Sequence, residues 1–195
     1  MNCNAYLFAD DVKIFNGIPD DKCNSQLQSD INTVSKWTEK WHLKLNVEKC
    51  KIMTVGKAHP SHTHVYKLPV GIGSQDLNRV TQEKDLGVLV DSNLNFESHI
   101  LSKVKTCNRI TGLIKRNFKN MNFQSFLLLY KSMIRSHLEY VQTVWSPFRA
   151  KLIDEVEKVQ KHATKIFLDS VSCHILSVYR SCSYLHWYTE EPEET

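Results

Sequence analysis

Two adjacent aspartates near the N-terminus are the clearest chemical signal in this sequence. Asp10 and Asp11 lie within an otherwise apolar stretch, with Tyr6 and Phe8 before them and Val12 after them. Adjacent carboxylates repel each other and aspartate is depleted in strands, so the pair indicates an exposed turn or a cation site. Carboxylate oxygens are ligands that Mg²⁺ prefers, and two such ions can stabilise the attacking and leaving oxygens of a phosphoryl transfer. An ordinary surface turn without chemistry is the alternative.

The elements that must position this pair are a hairpin and the helix after it. Residues 3–16 are predicted to form two short strands on either side of the aspartates. From about residue 22 to 42, apolar residues recur at steps of three and four, which predicts an amphipathic helix. These residues are Leu27, Ile31, Val34, Trp37 and Trp41. Further short strands are predicted at residues 43–45, 52–55, 65–68 and 86–90.

Beyond a boundary near residue 95 the pattern changes to helix. Three apolar stripes predict three helices between about residues 97 and 168, and such helices would pack as a bundle. The stripes are formed by Ile100, Val104, Ile110 and Leu113, by Phe126, Leu129, Met133 and Ile134, and by Ile153, Val156, Val159 and Ala163. The sequence therefore predicts an α+β protein, with a small α/β part followed by a helical part.

The net charge of +4 conceals an uneven distribution along the chain. Residues 1–100 carry 11 Lys and Arg against 12 Asp and Glu, whereas residues 101–167 carry 13 against 4. Clustered cations bind nucleic acid by releasing the counterions that surround its phosphates. The helical part is therefore the part predicted to meet a polyanion, and the solvated face of a basic helix bundle is the alternative.

The cysteines and histidines offer weaker candidates for a metal site. The six cysteines are scattered without a CxxC spacing, so we expect reduced thiols and no zinc knuckle. His59, His62 and His64 lie close together, and alternate positions could share one face of a strand. A polar loop is the favoured interpretation of that segment, because no acid or thiol lies beside it.

Nothing in the sequence indicates a membrane segment or a secretory signal. No apolar run approaches the roughly 20 residues of a membrane span. The apolar residues near the N-terminus have no basic residue before them and are followed at once by two aspartates, unlike a signal peptide. We therefore expect no membrane partner and an intracellular location, in the nucleus or the cytoplasm, rather than secretion.

Several blocks of the sequence resemble, in order and spacing, the reverse transcriptases of non-LTR (LINE-type) retrotransposons. Residues 6–11, YLFADD, resemble the (F/Y)ADD signature, and residues 37–53, WTEKWHLKLNVEKCKIM, resemble the next palm block with its Leu-Asn-x-x-Lys strand. Residues 83–91, EKDLGVLVD, are similar to the Leu-Gly-Val segment of those enzymes. Residues 129–140, 144–147 and 159–165 are similar to their thumb-side helices, so that the blocks together cover about residues 4–167.

The resemblance implies an RNA-directed DNA polymerase that takes an RNA template and a DNA primer. Residues 1–95 would be part of a right-hand polymerase palm, made of a hairpin, a helix and short strands. Residues 96–168 would be a basic thumb-like helical bundle. Residues 169–195 would be a divergent tail that is disordered at its acidic end. Asp10 and Asp11 match the catalytic aspartates that bind Mg²⁺. Phe8 and Lys49 match residues near the incoming nucleotide. The basic residues that would follow the template–primer backbone are Lys115, Arg116, Lys131 and Arg135. The alternative is that these side chains are simply solvated and bind nothing.

The sequence also departs from the family pattern. A complete polymerase has an earlier palm strand with its own metal-binding aspartate, and fingers, and neither is found in residues 1–195. We therefore expect a polymerase fragment that is inactive alone, because a two-ion site would lack a ligand. A non-catalytic nucleic-acid-binding module and a degenerate gene product are the alternatives.

Overall fold

A computed structural model describes residues 3–17, 21–56, 64–71, 73–118 and 122–170. These residues form a mixed structure of helices and small two-stranded sheets. Contacts divide the chain into a first unit, Met1–Asp85 with Val90–Leu94, and a second unit, Leu86–Leu89 with Asn95–Thr195. The predictions about His59, His62, Cys173, Cys182 and the tail beyond residue 170 concern residues outside the described part.

The first unit begins with the predicted hairpin. Strand β1 (Asn4–Phe8) pairs antiparallel with β2 (Asp11–Phe15), with Leu7 opposite Val12 and Phe8 opposite Asp11. This register leaves Ala9 and Asp10 as a two-residue turn. Ala9 has φ 53, in the left-handed region that two-residue hairpin turns usually fill with glycine. The prediction of a hairpin is confirmed, with an unfavourable residue at its tightest point.

Helix α1 (Asp21–Lys40) confirms the helix predicted from residue 22 to 42. It buries Ile31 against Tyr66 and Leu68, which form the core of the first unit. Polar residues on the same side are buried through hydrogen bonds: Asn24 Oδ1 accepts from the Tyr66 hydroxyl at 2.9 Å, and the Ser35 hydroxyl donates to the Pro69 carbonyl at 2.9 Å. The buried face is therefore centred to one side of the predicted apolar stripe.

Helix α1 ends in a Schellman motif. The Leu43 N–H donates to the Thr38 carbonyl at 2.9 Å and the His42 N–H to the Glu39 carbonyl at 3.1 Å. His42 has φ 56 at the position that usually holds glycine. The strand predicted at residues 43–45 is wrong, because the chain leaves the helix through this motif and turns again at residues 47–49.

The other strands are short and pair in twos. β3 (Lys51–Ile52) runs parallel to β6 (Asn78–Arg79), and β4 (Lys67–Val70) pairs antiparallel with β5 (Gly73–Asp76). β7 (Gln82–Asp85) and β8 (Val88–Asp91) form a further two-stranded sheet. The strand predicted at 52–55 is reduced to β3, and β7 was not predicted because its residues are all polar or charged.

The second unit is helical. Its long helices are α2 (Glu97–Asn117) and α6 (Ala150–Ser170), which pack on each other. Between them lie α3 (Phe123–Leu129), a π-helical segment (Tyr130–Arg135), α4 (Ser136–Glu139) and α5 (Gln142–Trp145). The buried core residues from the three predicted stripes include Ile100, Val104, Phe126, Ile134, Val159 and Ala163. The middle stripe was predicted as one helix, and this is confirmed: α3, the π-helical segment and α4 follow one another without a break from residue 123 to 139.

None of the helices in the described ranges has the length and apolar character that a membrane span requires.

Candidate functional site

The aspartate pair lies at the exposed tip of the β1–β2 hairpin. Asp10 occupies the turn and Asp11 begins β2 directly opposite Phe8, so Phe8 and Asp11 share one face of the hairpin. Both aspartates are exposed and the Phe8 side chain is 60% exposed. A tight turn therefore presents two carboxylates and an aromatic ring to solvent at one point.

A ring contact joins the two strands of this hairpin, and an ion pair attaches β2 to β7. The Tyr6 and Phe15 rings stack with centroids 5.2 Å apart. The Lys13 ammonium lies 2.5 Å and 2.6 Å from the two carboxylate oxygens of Asp85. The hairpin is thus anchored at Lys13, while its tip remains exposed.

The start of β1 is held by a hydrogen bond to α1. The Cys3 N–H donates to Asp30 Oδ2 at 2.7 Å. Burial, followed by the hydrogen bond and negative charge of Asp30, raises the pKa of the Cys3 thiol to about 11. A thiol with this pKa is protonated at neutral pH, which makes Cys3 a weak nucleophile in the absence of a cation.

The carboxylates of Asp10 and Asp11 suit Mg²⁺ in ligand type, because both are hard oxygen donors. In the described ranges no three His, Cys, Asp or Glu side chains come together as a metal-binding group. The residues of the hairpin tip therefore supply two ligands at most, and water would fill the other positions of an octahedral ion. This donor set does not by itself make a two-ion site.

Lys49, predicted to lie near the nucleotide, is exposed in a turn after α1. Its N–H donates to the carbonyl of Asn46 at 3.1 Å and lies 3.3 Å from Asn46 Oδ1. Asn46 of the Leu-Asn-x-x-Lys block therefore stabilises this turn. Within the described residues no hydrogen bond or ion pair joins the Lys49 ammonium directly to Asp10 or Asp11.

Gly87 of the Leu-Gly-Val block also has a structural role. It has φ 87 and follows Leu86, at φ 43, in the turn that precedes β8. A Cβ at Gly87 would lie 3.2 Å from Cε1 of the Tyr140 ring, whose hydroxyl donates to the Leu86 carbonyl at 2.8 Å. The segment predicted as a strand from residue 86 therefore starts at Val88, because residues 86 and 87 form a turn beneath Tyr140.

The four basic residues predicted to follow a nucleic-acid backbone have different surroundings. Lys115 and Arg116 are exposed in the last turn of α2, and Lys131 is exposed in the π-helical segment. The guanidinium of Arg135 instead forms an ion pair with Glu139. Cations in the last helical turn also compensate the helix dipole, which gives Lys115 and Arg116 a structural reason to be there.

The outer face of α2 carries Arg116, one of the predicted candidates, together with Lys105 and Arg109, which were not predicted. Its buried face is formed by His99, Ile100, Val104, Cys107, Thr111 and Ile114. At 3.6 residues per turn, Lys105, Arg109 and Arg116 lie on the opposite side, and all three are exposed. We call these three residues the α2 basic face. Their spacing of four and seven residues is a helical signal that could have been found in the sequence.

Helix α6 differs from α2 although both contain several lysines. Lys158 lies 2.8 Å from Asp154 and 2.9 Å from Glu155, and Lys161 lies 3.0 Å from Glu157. Over Ala150–Ser170 four lysines face four acids, whereas α2 has five cations and one acid. The unbalanced positive charge of the second unit is therefore concentrated on α2.

Comparisons of the chain with protein-family models, with curated proteins and with solved structures find no match. The functional candidates therefore rest on the residues and their geometry. In the first unit the candidate is the exposed carboxylate pair of the hairpin tip. In the second unit it is the α2 basic face.

Proposed function

We propose that this chain is part of an RNA-directed DNA polymerase of the non-LTR retrotransposon class, with a partial palm in the first unit and thumb-like helices in the second. The observation that carries the proposal is the hairpin tip. Asp10 and Asp11, within the YLFADD stretch, lie in and directly after a two-residue turn, and both are exposed beside Phe8. A tight turn that offers two carboxylates to solvent suits metal-dependent phosphoryl transfer.

In this proposal Asp10 and Asp11 hold Mg²⁺, which when bound would neutralise charge on phosphate oxygens. Phe8, on the same face as Asp11, contacts the nucleotide or the primer end. Lys49 meets the phosphates of the nucleotide, and the partners are an RNA template and a DNA primer. Two carboxylates supply only some of the ligands of a two-ion site, so we propose that the chain is inactive alone.

A second candidate function is a non-catalytic nucleic-acid-binding module, and the α2 basic face favours it. Lys105, Arg109 and Arg116 are exposed on one side of a helix whose other side is packed in the core. Because their helix is fixed, these cations can neutralise phosphates with little loss of backbone entropy. Such binding depends steeply on salt and not on sequence.

The experiment that tests these functions joins primer extension with binding, on the full chain. An RNA template annealed to a DNA primer is incubated with the protein, deoxynucleotides, and Mg²⁺ or Mn²⁺. We expect salt-dependent binding without extension. Template-dependent extension that is lost in Asp10→Ala would show a polymerase active alone and contradict the proposed inactivity. Failure to bind the template–primer even at low salt would contradict both candidate functions.

A further inference from the structure

Two tryptophans at the C-terminal end of α1 are exposed to solvent. Trp37 is 52% exposed and Trp41 is 59% exposed. Their ring centroids lie 6.4 Å apart with planes tilted by 49°, so the rings do not stack on each other. Leu43, which follows them, is 52% exposed. Large apolar side chains that cluster on a surface mark an interaction site more often than single exposed ones do.

The exposure of this pair follows from the way α1 is packed. Ile31, Ser35 and Thr38 lie on the buried side of the helix, and Trp37 is about 120° around the helix axis from Ile31. Trp41 follows one turn after Trp37, to whose carbonyl its N–H donates at 3.2 Å. The hydrogen bonds of the Schellman motif fix the backbone directly after the pair. Both rings are therefore carried by an ordered helix end.

Three exposed lysines lie in the same segment as the two rings. Lys36 and Lys40 are exposed on the helical turn that carries Trp37, and Lys44 is exposed just after Trp41. Glu39 lies about 160° around the helix from Trp37, on another side of α1. Lys40 also compensates the partial negative charge at the C-terminus of the helix. The aromatic surface is thus bordered by positive charge.

We propose that Trp37 and Trp41 form a stacking platform for the bases of single-stranded nucleic acid, with Lys36, Lys40 and Lys44 contacting its phosphates. An indole face stacks on any base, which contributes about 1–3 kcal/mol per base in single-strand-binding proteins. The lysine border favours an anionic partner over an apolar protein surface or a second copy of the chain. That the partner is a nucleic acid rests on the proposed function. The two indole rings, however, would bind bases, whereas the α2 basic face would bind phosphates.

The experiment measures binding of the full chain to a labelled oligonucleotide of about 12 thymidines, a length within the range of single-strand sites. Anisotropy gives the affinity, and quenching of tryptophan fluorescence reports stacking. Trp37→Leu combined with Trp41→Leu keeps apolar side chains but removes the indole faces. We expect this variant to bind about 5- to 100-fold more weakly, with reduced quenching. The matched control is Phe148→Leu, since Phe148 is 67% exposed in the second unit, and we expect its affinity to be unchanged.

A second arm uses the wild-type chain alone, so that it stands even if the double variant fails to fold. An abasic oligonucleotide of equal length retains every phosphate but offers no base. We expect its affinity to fall to that of the double variant on thymidines. Equal affinities for the two oligonucleotides, or an unchanged affinity of the double variant, would overturn the stacking platform and leave binding by the α2 basic face intact.

Further outcomes separate this inference from the proposed function. Normal quenching in a variant in which Lys105, Arg109 and Arg116 are all alanine would support the platform, even if the phosphate-dependent binding of α2 proved absent. A dimer of the free chain that dissociates when Trp37 and Trp41 are both serine would identify a second copy as the occupant. That result, seen by light scattering, would overturn the proposal.

Discussion

The hairpin tip and the α2 basic face place charged residues at the surface in different ways. Asp10 and Asp11 are neighbours in sequence, and a two-residue turn suffices to bring them together. Lys105, Arg109 and Arg116 are separated by whole helical turns, and they share a face only because α2 forms and buries its other side. The tip is thus formed by residues adjacent in sequence that are hardly buried. The basic face instead depends on the hydrophobic core of the second unit.

That core gives the largest expected effect. Trp145 is 1% exposed, and its Nε1–H donates to the Tyr140 carbonyl at 2.7 Å. We expect Trp145→Ala to lower the free energy of unfolding by about 3–5 kcal/mol, because it leaves a cavity and removes the hydrogen bond. Urea denaturation measures this, with Phe148→Ala, at an exposed ring, as the control. A loss below about 1 kcal/mol would contradict the view that packing supports the second unit.

The charges of the two long helices provide the next test. Replacing Lys105, Arg109 and Arg116 by alanine should weaken the binding of nucleic acid. It should also make the decrease of log affinity with log salt less steep, by about 0.9 for each phosphate that is no longer neutralised. The matched control replaces Lys158 and Lys161, which are paired with acids on α6. We expect the control to change the slope much less. An equal change in both variants would mean that the basic face is not a distinct site.

A buried histidine makes the second unit sensitive to acid. His99 is 2% exposed, its Nδ1 accepts from the Leu89 N–H at 3.1 Å, and its Nε2 has no hydrogen-bond partner among the described residues. Burial, and then the charge of Lys103, lower the pKa of His99 below its ordinary 6.5. Below pH 6.5 the unfolded chain therefore binds a proton that the folded chain resists. The stability contributed by neutral His99 is therefore fully present above pH 6.5. It is lost as the pH falls from 6.5 toward the lowered pKa of His99 in the folded chain.

Urea midpoints at about pH 7.5 and pH 5.5, which bracket the ordinary histidine pKa, measure this effect. We expect His99→Asn to reduce the difference in stability between the two conditions. His162 is exposed on α6, so His162→Asn should leave the difference as it is in the wild type. A difference that His99→Asn does not alter would rule out His99 as its source.

The turn of the hairpin can be relaxed by a single substitution. Because Ala9 has φ 53, Ala9→Gly should stabilise the protein by about 0.5–1 kcal/mol. Glycine relieves the strain of the left-handed conformation, and part of that gain is offset because glycine loses more conformational entropy on folding. Ala5→Gly, within β1, should instead destabilise by a similar amount. Thermal melting of both variants checks the contrast. Destabilisation by Ala9→Gly would contradict the left-handed conformation of this turn.

The smallest expected effect concerns the aspartates themselves. Asp10→Asn removes repulsion between two exposed carboxylates, so without metal we expect melting temperatures equal to that of the wild type within about 1 °C, or slightly raised. About ten millimolar Mg²⁺ should change the wild type little, because two ligands bind this ion weakly. Asp76→Asn, at an exposed acid of β5, is the control. A clear Mg²⁺-dependent rise that Asp10→Asn alone abolishes would show a working metal site.

Elements fixed by short-range patterns were predicted well. The hairpin, α1, and the helical character after residue 97 follow from alternation and helical periodicity, which depend on residues close in sequence. The strand at 43–45 and the start of the strand at 86 were wrong, because His42, Leu86 and Gly87 adopt positive φ. Only glycine commonly marks that conformation in a sequence, so the turns at His42 and Leu86 left no signal.

The sequence by itself determined that two carboxylates meet at one turn and that positive charge gathers in the helical part. Tertiary structure decided which side of each helix faces solvent. In α1 hydrogen bonds from Tyr66 and to Pro69 bury Asn24 and Ser35, and this rotation leaves Trp37 and Trp41 exposed although they belong to the apolar stripe. A periodic pattern defines a wide apolar arc, whereas the contacts available within the folded unit select which part of that arc is buried.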